Sequence, residues 1–138
     1  MPGRVKFCAN KKLKNEQCAF TIMKRIKLGL IGSGFVQDFH MQALKEIPEA
    51  DVTVIGSYTE ENAVAFAEKW KIPKVYSGDS AIDDVCSDKD VEAVLVCIPN
   101  DLHLKAAKSA AENGKHIICE KPLGRTAGVL HAAHRFPA

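Results

Sequence analysis

Ile26-Lys-Leu-Gly-Leu-Ile-Gly-Ser-Gly-Phe-Val-Gln-Asp-Phe-His40 is the stretch whose reading decides the fold. Ile26, Leu28, Leu30 and Ile31 form an apolar run suited to a buried parallel strand. Gly32 and Gly34 permit a tight turn, and Phe35 to Ile47 reads as a helix. A strand, a glycine turn and a helix together make an anion site. Backbone at the turn can approach a pyrophosphate closely, and the first helical N–H groups, those of Phe35 and Val36, point at it with the helix dipole behind them. Gln37 stands where the dinucleotide fingerprint has its third glycine. A Gly-x-Gly by itself is also an ordinary strand-to-helix turn, so the decision passes to the rest of the chain.

Downstream, strand and helix signals alternate. Strand-like runs fall at Val52–Ile55, Lys74–Tyr76, Ala93–Cys97 and His116–Cys119, and helix-like runs at Glu60–Trp70, Ala81–Cys86 and Leu102–Asn113. Thr59 is a candidate cap for the second helix, and Gly114 a left-handed terminator for the last. Ala63, Phe66, Ala67 and Trp70 recur at helical spacing and read as one core face. Five strand signals with intervening helices predict βαβ units and an α/β, doubly wound parallel sheet of about five strands. Right-handed crossovers then set the carboxyl ends of the strands, and whatever they bind, along one edge.

Composition narrows the functional classes. The chain has 138 residues, 46% of them apolar and 26% charged, which suits one domain with a real core. Its formal charge of +2 is misleading, because seven of the 19 basic residues lie in the first 25 positions beside a single acid, Glu16. Residues 26–138 therefore carry 12 basic and 16 acidic residues, a net of −4, with no basic, aromatic-interleaved face for nucleic acid. No apolar run approaches the roughly 18 residues that span a bilayer. The five cysteines (Cys8, Cys18, Cys86, Cys97 and Cys119) contain no Cys-x-x-Cys pair and are odd in number. Free, buried thiols in a reducing, cytoplasmic setting are the expectation. His131 and His134 have metal-ligand spacing but lack the further ligands a site requires, so no metal is expected. Residues 1–23 show no sustained periodicity and read as a disordered extension, with Met23-Lys24-Arg25-Ile26 resembling a natural chain start.

Three motifs fall where the carboxyl edge belongs: Gly32-Ser33-Gly34, Pro99-Asn100-Asp101-Leu102-His103 after the fourth strand, and Glu120-Lys121-Pro122 after the fifth. Each alone is plausible turn chemistry. Together, in this order and spacing, they make residues 24–123 resemble the N-terminal domain of the Gfo/Idh/MocA oxidoreductases, the family of glucose–fructose oxidoreductase and inositol dehydrogenase. The resemblance implies a Rossmann-type domain binding NAD or NADP. It places the pyrophosphate at Gly32 and Gly34 and the nicotinamide half along Pro99, Asn100 and His103. Glu120, Lys121 and Pro122 then form the loop whose lysine stands beside the reacting carbon. The implied activity is hydride transfer at a CH–OH carbon of a sugar, cyclitol or related polyol, with the lysine orienting the hydroxyl oxygen.

Departures from the family pattern set further expectations. Gln37 replaces a small residue, which bears on helix–strand packing at the turn. The second strand ends in Gly56-Ser57-Tyr58 with no acid before Glu60. A carboxylate there would favour NAD; its absence, with Ser57 available to a 2′-phosphate, leans slightly to NADP. The tail, residues 124–138, resembles a displaced sixth strand over Gly128–Ala138, and only Glu120 to Ala127 separates that stretch from the fifth strand. The family's larger α+β domain is thus expected to be absent, the chain alone inactive, and the exposed sheet edge prone to self-association. A non-catalytic dinucleotide-binding or sensing module is the competing reading. Lys121 favours the enzyme lineage, because binding alone has no need of a Glu-Lys-Pro loop.

Overall fold

The computed structural model describes residues 24–128. The expected extension at residues 1–23 lies outside the described residues, as do His131, His134 and the rest of the tail from residue 129. The chain runs β1 (Ile26–Ile31), α1 (Phe35–Leu44), β2 (Ala50–Ser57), α2 (Glu60–Trp70), β3 (Lys74–Ser77), α3 (Ala81–Ser87), β4 (Ala93–Val96), α4 (His103–Glu112) and β5 (His116–Cys119). All strands are parallel, in the order β3-β2-β1-β4-β5. This is the Rossmann-type sheet the alternating pattern predicts.

Pleating explains why β4 and the second half of β1, at the middle of the sheet, carry no polar side chain. Neighbouring residues face opposite sides, so a strand covered on both faces needs apolar side chains at every position. Leu30, Ile55 and Leu95 join Met41 of α1 and Phe66 and Ala67 of α2 in one buried layer. Ile31, Val54, Val94 and Val96 join Val85 and Cys86 of α3 and Ala106 and Ala110 of α4 in the other. Helix α3 lies close on the sheet because β1 and β2 present Gly29 and Gly56 beneath it. A Cβ at either would fall 2.7 or 2.6 Å from a methyl of Val85. Ala63, Phe66 and Ala67 are buried and Trp70 packs beside them, as the helical spacing implies.

The boundaries differ from the sequence reading for local reasons. Helix α1 ends at Leu44, before Ile47, and closes in tighter turns in which Glu46 and Ile47 donate to the carbonyls of Ala43 and Leu44, at 3.1 Å each. Pro48 follows and disfavours helix in the residue before it. Strand β2 is longer than Val52–Ile55 because its ends find partners, Ala50 beside Ile26 and Ser57 beside Ser77. Thr59 caps α2 through its backbone, accepting from Ala63 N–H at 3.0 Å, with no side-chain cap bond. Gly114 is left-handed (φ 67°) after α4, and so, without glycine's freedom, is Lys71 (φ 58°) after α2. Among the described residues no helix is long and apolar enough to cross a membrane.

Candidate functional site at the carboxyl edge

Strand β1 sits mid-sheet, between β2, reached through α1, and β4, reached by the crossover back from β3. At such a switch point the connections leave in opposite directions and open a crevice beyond the carboxyl ends. The Gly32–Gly34 turn stands at that crevice.

Its two glycines do different work. Gly32 is buried, donates its N–H to the Gly56 carbonyl at 2.8 Å, and has φ 106°. A Cβ there would run into the carbonyl of Cys97. Gly34 is the exposed N-cap of α1, with ordinary extended angles (φ −78°, ψ 176°), and a Cβ there would meet nothing within 4 Å. Neither backbone conformation nor packing against the described residues requires glycine at 34, whereas close approach by a ligand would. The first intrahelical bond runs from Asp38 N–H to the Gly34 carbonyl at 3.3 Å, so the N–H groups of Phe35, Val36 and Gln37 have no carbonyl within the helix to reach. Phe35 and Val36 are exposed, and Phe35 meets Phe39 edge-on at 5.0 Å. Gln37 is fully buried, with neither amide atom hydrogen-bonded among the described residues, so the space a third glycine would leave is filled.

Ser57 lies beside the turn, its hydroxyl 2.8 Å from that of Ser33. At the other end of the edge, Pro99 and Asn100 are exposed in a turn that continues as a 3-10 segment, Asn100–Leu102, into α4. His103 is placed beneath this loop rather than on the open edge. It is 1% exposed, with Nδ1 2.8 Å from the Pro122 carbonyl and Nε2 2.9 Å from the Ile98 carbonyl. Its ring ties the loop after β4 to the loop after β5. Lys121 and Pro122 are exposed, and the peptide joining them is cis.

Glu120 is anchored from α1, where His40 Nε2 donates to its carboxylate at 2.7 Å. That bond, helped by the Lys121 backbone N–H, holds the Glu120 carboxyl below the usual carboxylate range. Cys97 stands close by, its thiol pushed up to about 12 by burial and then by the Glu120 charge. Sequence reading did not single out His40. The available signal was its place one helical turn beyond Val36, on the same face of α1.

The expected residues are thus spread along the edge. Ser57 ends β2 and Lys121 follows β5, three strand spacings away, or about 14 Å at about 4.8 Å per strand. An elongated ligand with chemically distinct ends suits such a distribution better than a compact one.

Comparison with known proteins bears on what that ligand is. The sequence profile of the Gfo/Idh/MocA oxidoreductase family, NAD-binding Rossmann fold, matches residues 26–134. A levoglucosan dehydrogenase from Pseudarthrobacter phenanthrenivorans is 36% identical over 109 residues, covering 75% of this chain and 28% of that protein. A myo-inositol 2-dehydrogenase from Thermotoga maritima is 32% identical over 98 residues, covering 71% and 28%. Among solved structures, a levoglucosan dehydrogenase in complex with NADH and L-sorbose superposes with a TM-score of 0.75 at 33% identity, over 81% of this chain and 31% of that one. The chain spans about three tenths of the length of the relatives it matches.

Proposed function

The chain belongs to the Gfo/Idh/MocA oxidoreductase family through its NAD-binding Rossmann domain, and on that footing we propose that residues 24–123 hold a nicotinamide dinucleotide for hydride transfer at a CH–OH carbon of a sugar or cyclitol. The observation that carries this reading is Gly34, a glycine that the geometry of the described residues leaves unexplained, at the N-terminus of α1 beside the switch point. The residues fit the group. The N–H groups of Phe35 and Val36, which have no acceptor within the helix, donate to the pyrophosphate, and the missing Cβ at Gly34 lets it approach. Ser57 faces the adenosine ribose, and Pro99 and Asn100 line the nicotinamide half.

When bound, the dinucleotide supplies the hydride acceptor or donor. Lys121 Nζ orients the substrate oxygen and holds the hydroxyl proton. His40 fixes Glu120, and His103 fixes Pro122, so the loop carrying Lys121 is held from both sides. NADP is the preferred form in this reading, since no carboxylate stands at the end of β2 before Glu60 to repel a 2′-phosphate. Tighter binding of NAD than of NADP at equal ionic strength would reverse that preference.

Calorimetry tests the central claim. Gly34→Val is expected to weaken dinucleotide binding about tenfold or more, at least about 1.4 kcal/mol. Unchanged affinity would remove the pyrophosphate site. Lys121→Ala is expected to retain cofactor, and any turnover of sugars or inositols by the wild-type chain that survives that change would end the role given to the lysine.

A further inference from the structure

His40, Cys97 and Glu120 are remote from one another in the chain, yet α1, the end of β4 and the end of β5 bring one ligand-type atom of each within 4.8 Å of the others. All three residues are half-buried. We propose that this trio binds a thiophilic divalent cation of the zinc class, with a fourth coordination position open toward the edge of the sheet.

The donor set argues for that class. Imidazole nitrogen, thiolate sulfur and carboxylate oxygen are the three side-chain ligands that zinc takes. Calcium and magnesium call for all-oxygen shells. The spacing also fits. Tetrahedral ligands about 2.0–2.3 Å from an ion lie roughly 3.2–3.7 Å apart. Here His40 Nε2 and Glu120 Oε1 are 2.7 Å apart and no pair exceeds 4.8 Å, so side-chain rotations of about 1 Å bring all three to coordinating distance. The backbone beneath is already held: Cys97 N–H donates to the Ile31 carbonyl at 2.9 Å, and Glu120 N–H to the Val96 carbonyl at 3.0 Å. On binding, the ion takes the place of the His40 Nε2 proton, which moves to Nδ1 by way of solvent and leaves the ring neutral, and the Cys97 thiol gives its proton to solvent as the metal–sulfur bond forms. Three protein ligands with an open fourth position is the arrangement of sites that take up water or a substrate oxygen, rather than of closed structural sites.

The proposal stands on these three side chains and does not need the dinucleotide reading. The full chain, stripped with a chelator, is titrated with Zn²⁺ against a chromophoric competitor. It is separately titrated with Co²⁺, whose thiolate complexes absorb in the near ultraviolet. One equivalent should bind with a cobalt–thiolate band. Cys97→Ser should erase the band, and His40→Ala and Glu120→Gln should each weaken Zn²⁺ binding about tenfold or more. Cys119→Ser should leave both unchanged, because Cys119 packs with the core on the opposite face of the sheet. Glu120→Gln keeps the side-chain volume, and a circular-dichroism melt of each variant separates lost ligation from lost fold. Unchanged affinity and absorption in Cys97→Ser and His40→Ala would overturn the site. So would a band that depends on Cys8 and Cys18 instead.

Discussion

At the scale of single residues, Gly32 and Gly34 look equivalent in the sequence and are opposite in the fold. Gly32 answers to the protein: a positive φ, a bond to Gly56 and a carbonyl of Cys97 where a side chain would begin. Gly34 answers to nothing within the described chain. Gly32→Ala is therefore expected to destabilise the domain by about 2–4 kcal/mol, from left-handed strain together with a backbone clash. Gly34→Val should cost no more than about 1 kcal/mol of stability, the difference of an N-cap, while losing dinucleotide. Chemical denaturation of the two variants checks the contrast, and equal losses of stability would show that both glycines serve packing. His103 gives a similar lesson. It lies in a motif that reads as ligand-facing, yet its ring is spent joining two loops.

At the scale of elements, Asp88 joins the end of α3 to strand β3. Its side chain is 3% exposed and accepts from Lys74 Nζ at 2.6 Å, Tyr76 Oη at 3.2 Å and Asp90 N–H at 2.9 Å. Lys115 Nζ donates to the Asp88 backbone carbonyl at 2.7 Å. The hydrogen bond from Lys74 holds the Asp88 carboxyl below the usual range, against the opposing effect of burial. Lys74 is raised in turn. Because the folded carboxyl titrates below the unfolded one, at about 3.9, the stability it adds is complete at neutral pH. That contribution fades as pH falls below the unfolded value and through the folded one. The raised lysine loses its share only in strong alkali. Asp88→Asn is expected to cost about 1.5–3 kcal/mol at pH 7, the scale of hydrogen bonds to a charged group, and to flatten the acid limb of a plot of stability against pH. An unaltered acid limb would mean that the β3 edge is held by other contacts. β3 is an edge strand, and the Asp88 cluster is its polar fastening.

At the scale of the whole molecule, binding along the carboxyl edge engages the ends of β1, β2, β4 and β5 together, so cofactor and fold should stabilise one another. A ligand at about 100 times its Kd adds about 2.7 kcal/mol to a protein that binds it only when folded. For a domain of this size that corresponds to a rise in Tm of about 10 °C or more. Thermal melts with NAD and NADP should show it in the wild-type chain and not in Gly34→Val. A rise of the same size in both would place the dinucleotide somewhere other than the glycine turn.

The apolar run of Ile26–Ile31, the helical face of Ala63, Phe66, Ala67 and Trp70, and the left-handed Gly114 were all legible from sequence, because each depends on neighbours a few residues away. Periodicity of two or 3.6 reports which side of an element is buried, and five such signals in alternation leave little choice but a parallel sheet. The motif order carried the family, because residues at the ends of successive parallel strands must share one edge. Local pattern could not say which glycine bends the chain and which leaves room. Nor could it show that His103 lies beneath the loops, or that His40 reaches Glu120 close to the thiol of Cys97. Those facts belong to the register of strands far apart in sequence, where a side chain's partner is set by how α1, β4 and β5 are packed together. Distances of a few ångströms between such residues exist only once the sheet has formed, so only the tertiary structure decided them.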